Sequence, residues 1–500
     1  MRPDEATDLA ALRRAAAEAL RALEDRAARD LLVVTDKYPP HTVGGAELSL
    51  HIVMRRPAFR DRALVAMFSR EVAEPSLYRQ DDVPVIVLPE AAPWPLQRRG
   101  FAAFDAARAA GRAARRRFEL AEGARFLKPR SFGDLIDRIA ALGYELLGRP
   151  RGGVATDFSD TTRNFRHRAL TALTDVVRPR AILLDNYRSI MLAPTARAAP
   201  GVERVAAVVR DNRFHCMRFD QSLMIDGVRC QSCALQCAGR DAPRTRLFHR
   251  RHLAGARRRR LAALNSADVV VVTSGYLERS LAPEIRSAEL RRVANPGDEL
   301  GEVAESIRGV GEWPGAHLAL VGMLNEAKGQ LPFVEAAGQW LRADPARMIH
   351  LAGRGDRTAR LIEAAAAREG VADQVALHGY LTREAVLRLM RAAQIVVAPT
   401  LWPEPFGRVP LEAGLVGRPI VAFRRGGLSE TILDGETGYL VEPGDYARFL
   451  ARVDALLADP KRRLEMGARA RAHVASLYSA GETEAKLAAA LFDDAGPAGA

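Results

Sequence analysis

The sequence predicts an α/β protein of two doubly wound parallel sheets set in tandem. Three observations carry that prediction. Short runs of apolar, largely β-branched residues recur along the chain, each too short for an ordinary helix. Helix-patterned stretches separate most of them, which is how parallel strands are joined. At 500 residues the chain exceeds one ordinary core, so two domains of roughly 200 residues each are expected.

The elements follow in order. The first thirty residues place Asp4, Glu5, Glu18, Glu24 and Asp25 among Leu9, Leu12, Leu20 and Leu23. That is the pattern of an amphipathic helix, not the apolar core of a signal peptide. "DLLVVTDKYPP" (30–40) reads as a buried strand, and "GGAELSLHIVMR" (44–55) as a glycine pair opening a helix. Strand-like runs continue with "RALVAMF", "VPVIVLP", "RAILLDN", "RVAAVVRD" and "ADVVVVTS". An Arg- and Ala-rich stretch at about 93–165 breaks the rhythm and reads as a helical insertion. "RRVANPGDELGEV" (291–303) reads as a linker. A second series then runs "AHLALVG", "RMIHLAG", "QVALHGY", "AQIVVAPT", "PIVAF" and "GYLVEP". The predicted scheme is a helical extension at 1–30, a first domain at 31–298 with a Cys-rich loop at 216–237, a second domain at 299–475, and a helix at 476–500 crossing back to the first domain. In such sheets ligands sit beyond the carboxyl ends of the strands. For two facing Rossmann-like domains, that place is the cleft between them.

Hydrophobic content of 48% and charged content of 27% are those of a soluble globular chain. No apolar run approaches the ~18 residues of a membrane-spanning helix, so a cytoplasmic chain is expected. Net charge is +13, carried almost wholly by arginine. Residues 98–117 and 240–260 are strongly basic, with Phe101, Phe104, Phe118, Leu247 and Phe248 interleaved or adjacent. Such stretches can meet the anionic inner face of a membrane, or nucleic acid, or be a solvated face, or pair with acids elsewhere. No nucleic-acid partner is expected.

All four cysteines lie close together, as Cys216, Cys230, Cys233 and Cys237. This density suits one structural zinc. Free thiols and disulfides are the other readings.

In "PTLWPEPFGRVPLEAGLVGRPIVAF" (399–423), Glu404 and Glu412 stand eight residues apart. The first follows a strand, in a loop. The second lies in the first turns of a helix. One carboxylate can then lie over a ligand while the other accepts hydrogen bonds from a ribose diol. Phe406 and Gly407 offer backbone N–H groups at the helix start, where an anion is favoured.

The stretch 403–445 resembles the donor-site signature of family-4 glycosyltransferases, which have the GT-B fold. It carries the paired glutamates, the Gly-Gly-x-x-Glu turn and the Thr-Gly-x-x-Val ending. The resemblance covers about 31–490, strongly in the second half and more loosely in the first. It implies a retaining transfer of a sugar from a nucleotide-sugar, UDP- or GDP-linked, to a hydroxyl of a glycan, lipid-linked or small-molecule acceptor. The first domain would then face the acceptor and the second would hold the donor. "GMLNEAKGQLPFVEAA" (322–337) is similar to the family's diphosphate loop, which implies that Lys328 holds the donor diphosphate. Gly322 and Gly353 fall on the donor side by the same resemblance. Glu404 would lie over the donor sugar and Glu412 on the ribose. The leaving phosphate would take the acceptor's proton, and no metal is implied at the chemistry. "PPHTVGGAE" (39–47) is similar to the family's glycine-rich loop, placing Gly44 and Gly45 near phosphate and acceptor. "VVRDNRFHC" (208–216) puts Arg210 and Asp211 where many relatives carry a His, which makes Asp211 a catalytic candidate. The family's Arg after the loop glycine is replaced by Met323, with Arg354 or Arg408 as its substitutes. The rival reading is a non-catalytic protein of the same fold, docking through a zinc loop on membrane or nucleic acid.

Overall fold

A computed structural model describes residues 13, 14, 16, 17, 30–40, 45–69, 72, 75–89, 160–216, 224, 225, 228, 229, 246–297 and 301–492. Among these, sixteen strands form two large sheets and a two-stranded ribbon. In chain order the strands are β1 Leu31–Thr35, β2 Ala63–Ser69, β3 Ser76–Gln80, β4 Val83–Pro89, β5 Ala181–Asp185, β6 Arg204–Val209, β7 Met224–Ile225, β8 Val228–Arg229, β9 Val269–Val272 and β10 Glu289–Arg292. They continue as β11 Ala316–Val321, β12 Arg347–Ala352, β13 Val375–Leu377, β14 Ile395–Ala398, β15 Ile420–Phe423 and β16 Gly438–Val441. The helices used below are α1 Gly45–Met54, α2 Asp160–Val177, α3 Arg246–Leu264, α4 Gln330–Arg342, α5 Asp356–Arg368, α6 Arg383–Ala392, α7 Val409–Leu415, α8 Pro460–Leu477 and α9 Ala480–Phe492.

The chain divides into two compact units, one of residues 1–271, 281–291 and 488–500, the other of residues 272–280 and 292–487. The N-terminal unit holds an eight-stranded sheet in the order β10-β9-β6-β5-β1-β2-β4-β3. The pairs β1–β2, β1–β5, β2–β4 and β5–β6 are parallel, and β3 runs antiparallel to β4. Every residue of β1, β5 and β9 is buried, as expected of strands covered on both faces. The end of α9 belongs to this unit, where Phe492 meets Phe59 (ring centroids 6.3 Å apart) and lies under the Arg62 guanidinium.

The C-terminal unit holds a six-stranded sheet, β13-β12-β11-β14-β15-β16, with all five pairs parallel. Side chains alternate along each strand, so neighbouring residues enter different cores. Leu318, Leu320, Ile349, Leu351, Val421 and Phe423 pack on one face with Phe333 and Phe449. Ala319, Val396, Ile420 and Ala422 face the other way, against Leu387, Met390 and Leu411. A side chain such as Phe333, 0% exposed, contributes about 1.5–3 kcal/mol by leaving water. Cutting it to Ala would cost about 3–5 kcal/mol.

The predicted insertion at 93–165 lies outside the described residues except for the start of α2. So do Gly44, Cys230, Cys233, Cys237 and the basic stretch 98–117. Cys216 is buried, and among the described residues no group of His, Cys, Asp and Glu side chains is arranged to hold a metal. The basic stretch 240–260 is described from residue 246, where it is the helix α3. Two of its arginines turn inward. Arg260 is fully buried, donating to the Tyr187 hydroxyl (2.9 Å) and the Arg213 carbonyl (2.7 Å). Arg257 pairs with Glu284. Arg251 and Arg258 are exposed. No helix among the described residues is long and apolar enough to cross a membrane.

Candidate functional site

The site is built by two loops at the carboxyl ends of neighbouring strands in the C-terminal unit. The first leaves β11 through Gly322, whose φ of +140° suits glycine. Residues Glu326–Lys328 form a 3₁₀ turn, capped by the Asn325 side chain, which accepts from the Lys328 backbone N–H at 3.1 Å. Buried Gln330 opens α4 and donates to the Met323 carbonyl at 2.9 Å, which pins the loop from the other side. Met323 itself is 62% exposed.

The second loop leaves β14 and runs to α7. The Ala327 carbonyl accepts from Leu401 N–H (2.9 Å), Trp402 N–H (3.1 Å) and the Thr400 hydroxyl (3.1 Å). These bonds tie the two loops together. They bring Lys328 onto Glu404, 76 residues away in sequence, as a direct ion pair. The Lys328 ammonium also lies 5.3 Å from the centre of the Trp402 ring, an additional cation–π attraction.

Glu404 is held by its backbone as well. Its carbonyl accepts from Gly427 N–H at 2.7 Å, and a Cβ at Gly426 would stand 2.2 Å from that same oxygen. The Gly-Gly pair is therefore required for the two chain segments to touch. Ser274 donates from its hydroxyl to the Pro405 carbonyl. Phe406 buries its ring edge-on against Tyr478, so only its backbone faces the loop. Lys328, Glu404, Thr400, Gly407 and Arg408 line one cleft with apolar neighbours such as Val397 and Leu428. The cleft is open to solvent.

Glu412 sits in the first turn of α7, outside that lining. Its Oε1 accepts from Arg383 at 3.1 Å, and Arg408 stands 3.7 Å away. Arg408 also donates to the Pro296 carbonyl at 3.2 Å. Arg354 lies instead over the Tyr380 ring at 4.1 Å, while its carbonyl accepts from Leu324 N–H at 2.8 Å. Of the two substitutes for the arginine missing at Met323, Arg408 is at the cleft and Arg354 is one loop away. Gly353 packs its α-carbon on the Gly322 carbonyl. A Cβ there would lie 1.8 Å from that oxygen.

The remaining predicted residues belong to the N-terminal unit. Gly45 opens α1. Asp211 caps the 3₁₀ turn Asn212–Phe214 by accepting from Arg213 N–H at 2.9 Å. Surrounding protein pushes its carboxyl pKa upward by desolvation, and the Arg213 guanidinium opposes that shift. Arg210 is spent on Asp185, which it meets at 2.6 Å and which is fully buried. Desolvation raises the Asp185 pKa, and Arg210 again opposes the rise.

Sequence reasoning missed Gln330, Arg383 and Trp402 as parts of the site. It also read Glu430 only as the end of a turn signature. Glu430 accepts from Gly275 N–H at 2.7 Å and pairs with Arg279 at 3.2 Å, so it holds the helix Gly275–Leu281 against the loop. The one available signal was chemical type, since a Gln opening an apolar helix and a Trp beside a Pro-Glu turn are polar tips on buried stems.

Residues 315–473 match the family described as "Glycosyl transferases group 1". The chain is 34% identical over 245 residues to the D-inositol 3-phosphate glycosyltransferase of Nocardia farcinica, covering 45% of this chain and 54% of that protein. It is 34% identical over 145 residues to the glycogen synthase of Mycobacterium tuberculosis, covering 29% of this chain and 34% of that one. It thus spans about half the length, or less, of the curated relatives it matches. Among solved structures, Anabaena HepE in complex with UDP is similar at a TM-score of 0.57 and 17% identity, covering 92% of this chain and 98% of that one. The sucrose-phosphate synthase of Thermosynechococcus elongatus is similar at 0.60 and 16%, covering 91% and 96%. These likenesses concern fold. The chain has the GT-B fold, and within it residues 315–473 are the part that matches the glycosyl transferases group 1 family.

Proposed function

We propose that this protein is a retaining glycosyltransferase that takes a sugar from a UDP- or GDP-sugar and passes it to a hydroxyl of a glycan, lipid-linked or small-molecule acceptor. The observation that carries this reading is the Lys328–Glu404 pair, partly exposed at the mouth of a cleft and locked there by the Ala327 carbonyl. An ammonium has three donors, and Glu404 takes one, which leaves Lys328 able to hold a donor diphosphate without releasing its partner. Charge grows on that phosphate as the glycosidic bond breaks, so a fixed cation there favours the transition state. Glu404 then accepts from hydroxyls of the donor sugar and offsets positive charge at the anomeric carbon. Glu412 engages Arg383 through Oε1, and its carboxylate would accept from a ribose diol.

The relatives supply supporting context. HepE was solved with UDP and with UDP-glucose, and the similar curated proteins include a D-inositol 3-phosphate glycosyltransferase and a glycogen synthase. The test is release of nucleoside diphosphate from UDP- and GDP-sugars with a panel of hydroxyl acceptors, with the product's anomeric configuration read by NMR. Release dependent on Lys328 and Glu404, with configuration retained, supports the reading. Inversion would remove the retaining assignment. Loss of all release from a folded protein would favour the docking protein of the same fold.

A further inference from the structure

Three histidines cross the C-terminal sheet in one hydrogen-bonded row. His317 lies on β11, His350 on β12 and His378 just after β13. His317 Nε2 meets the Pro314 carbonyl at 2.8 Å, its Nδ1 meets His350 Nε2 at 2.9 Å, and His350 Nδ1 meets His378 Nε2 at 3.1 Å. The rings stack with interplanar angles of 22°, and Trp313 covers His350 at 4.4 Å. Burial lowers the pKa of His350 to about 4 and lowers that of His378 too, so these rings are neutral near pH 7.

A carbonyl only accepts, so His317 carries a proton on Nε2. With Nδ1 bare, His350 Nε2 must carry a proton, and the bare His350 Nδ1 then requires one on His378 Nε2. Each ring settles the tautomer of the next. The row ends on His378 Nδ1 as a hydrogen-bond acceptor, and among the described residues nothing donates to it.

That acceptor lies at the ligand edge of the sheet. His378 stands one residue past the Leu351–Leu377 pair, its N–H donates to the Leu351 carbonyl at 2.9 Å, and the next residue's carbonyl accepts from Gly353 N–H at 2.8 Å. Two residues on, Tyr380 is 54% exposed and carries the Arg354 guanidinium on one face. An exposed acceptor of fixed tautomer, two residues before an aromatic ring that carries a planar cation, suits a heteroaromatic base with a ring N–H.

Resting on the donor-site reading above, we propose that His378 Nδ1 reads the lactam N–H of the donor's base, with His350 and His317 as positioning residues that keep it an acceptor. Uracil and guanine offer such an N–H. Adenine does not. The experiment compares UDP, 3-methyl-UDP, GDP and ADP on the full-length protein by titration. The wild type should bind UDP or GDP over ADP, and the methyl group should weaken UDP about tenfold. His378→Ala, at an exposed position, should bind UDP and 3-methyl-UDP alike, and His350→Phe should narrow the difference without abolishing UDP binding. Equal binding of UDP and 3-methyl-UDP to the wild type, preference for ADP, or a methyl penalty that survives in His378→Ala would overturn the proposal while leaving the donor site intact. Binding of none of the four would remove the donor-site reading and this inference with it.

Discussion

In the C-terminal unit the loops after β11 and β14 converge on Lys328 and Glu404, whose side chains are 25% and 12% exposed at a cleft. In the N-terminal unit the residues after β5 and β6 converge on an ion pair of the same chemical kind, Arg210–Asp185, at 10% and 0% exposure. Tyr38, just after β1, is likewise closed in. Fully buried, it meets His51 at 2.9 Å, and His51 meets Asp81 at 2.9 Å. The difference lies in access, not in charge. A sealed pair is costly to break, because removing either ion strands the other away from water. An accessible pair contributes little stability and can serve a ligand.

Breaking each pair separates the two roles. The largest effect is expected from Arg210→Met, which strands the Asp185 carboxylate in a fully buried place. It should cost about 3–5 kcal/mol in chemical denaturation. A loss below ~1 kcal/mol would mean that the N-terminal pair is not structural. Next comes Glu404→Gln, where the account expects a 10²–10³-fold fall in turnover, about 2.7–4 kcal/mol, with unfolding nearly unchanged. A stability loss as large as that of Arg210→Met would erase the contrast.

Glycines sharpen the comparison further. Gly353→Ala in the C-terminal unit would push a Cβ to within 1.8 Å of the Gly322 carbonyl, and about 1–3 kcal/mol of destabilisation is expected together with weaker nucleotide binding. Gly201 in the N-terminal unit has a φ of +78° but open space around it. Gly201→Ala should therefore cost about 1 kcal/mol of backbone strain and leave binding alone.

An effect of similar small size is expected on the pH dependence of stability. The His350 pKa is about 4 in the folded chain against 6.5 ordinarily, so below pH ~6.5 the unfolded chain takes up a proton that the folded one refuses. Stability from this group is complete above pH ~6.5 and is lost as pH falls toward 4, by about 1–2 kcal/mol after allowance for solvent screening. His350→Phe should flatten that part of the profile. A profile unchanged by the substitution would show that the row does not titrate this way.

Much of this architecture was legible in the sequence, because strands buried on both faces are written as apolar runs. Twelve of the strands coincide with the runs read from the sequence, β1, β2, β4 to β6, β9 and β11 to β16. The edge strands of the first sheet were not legible. β3 (SLYRQ) and β10 (ELRR) sit at the two ends of the first sheet, mostly unburied and polar, so they lack the apolar signal. In the site, Lys328 and Glu404 could be named from their motifs, and the structure brings them into contact. The Ala327 carbonyl that joins their loops carries no side-chain signature at all. The histidine row was equally invisible, since His317, His350 and His378 are 33 and 28 residues apart and meet only through the strand order β13-β12-β11. For the stretch 240–260 the sequence left open whether its arginines face outward or pair with acids elsewhere, because the partners are far away in the chain. Arg257 pairs with Glu284, and Arg260 is buried on the Tyr187 hydroxyl and the Arg213 carbonyl.

The central claim is that the C-terminal unit holds a nucleotide-sugar through Glu412 and the Lys328 loop. Thermal unfolding of the full chain with UDP, GDP and ADP, on wild type and Glu412→Ala, tests it most directly. At ~100 times its dissociation constant a ligand adds about 2.7 kcal/mol of stability. The account predicts such a shift with UDP or GDP in the wild type and its loss in Glu412→Ala. A folded wild type that no nucleotide stabilises, or a Glu412→Ala variant stabilised as strongly as the wild type, would contradict it.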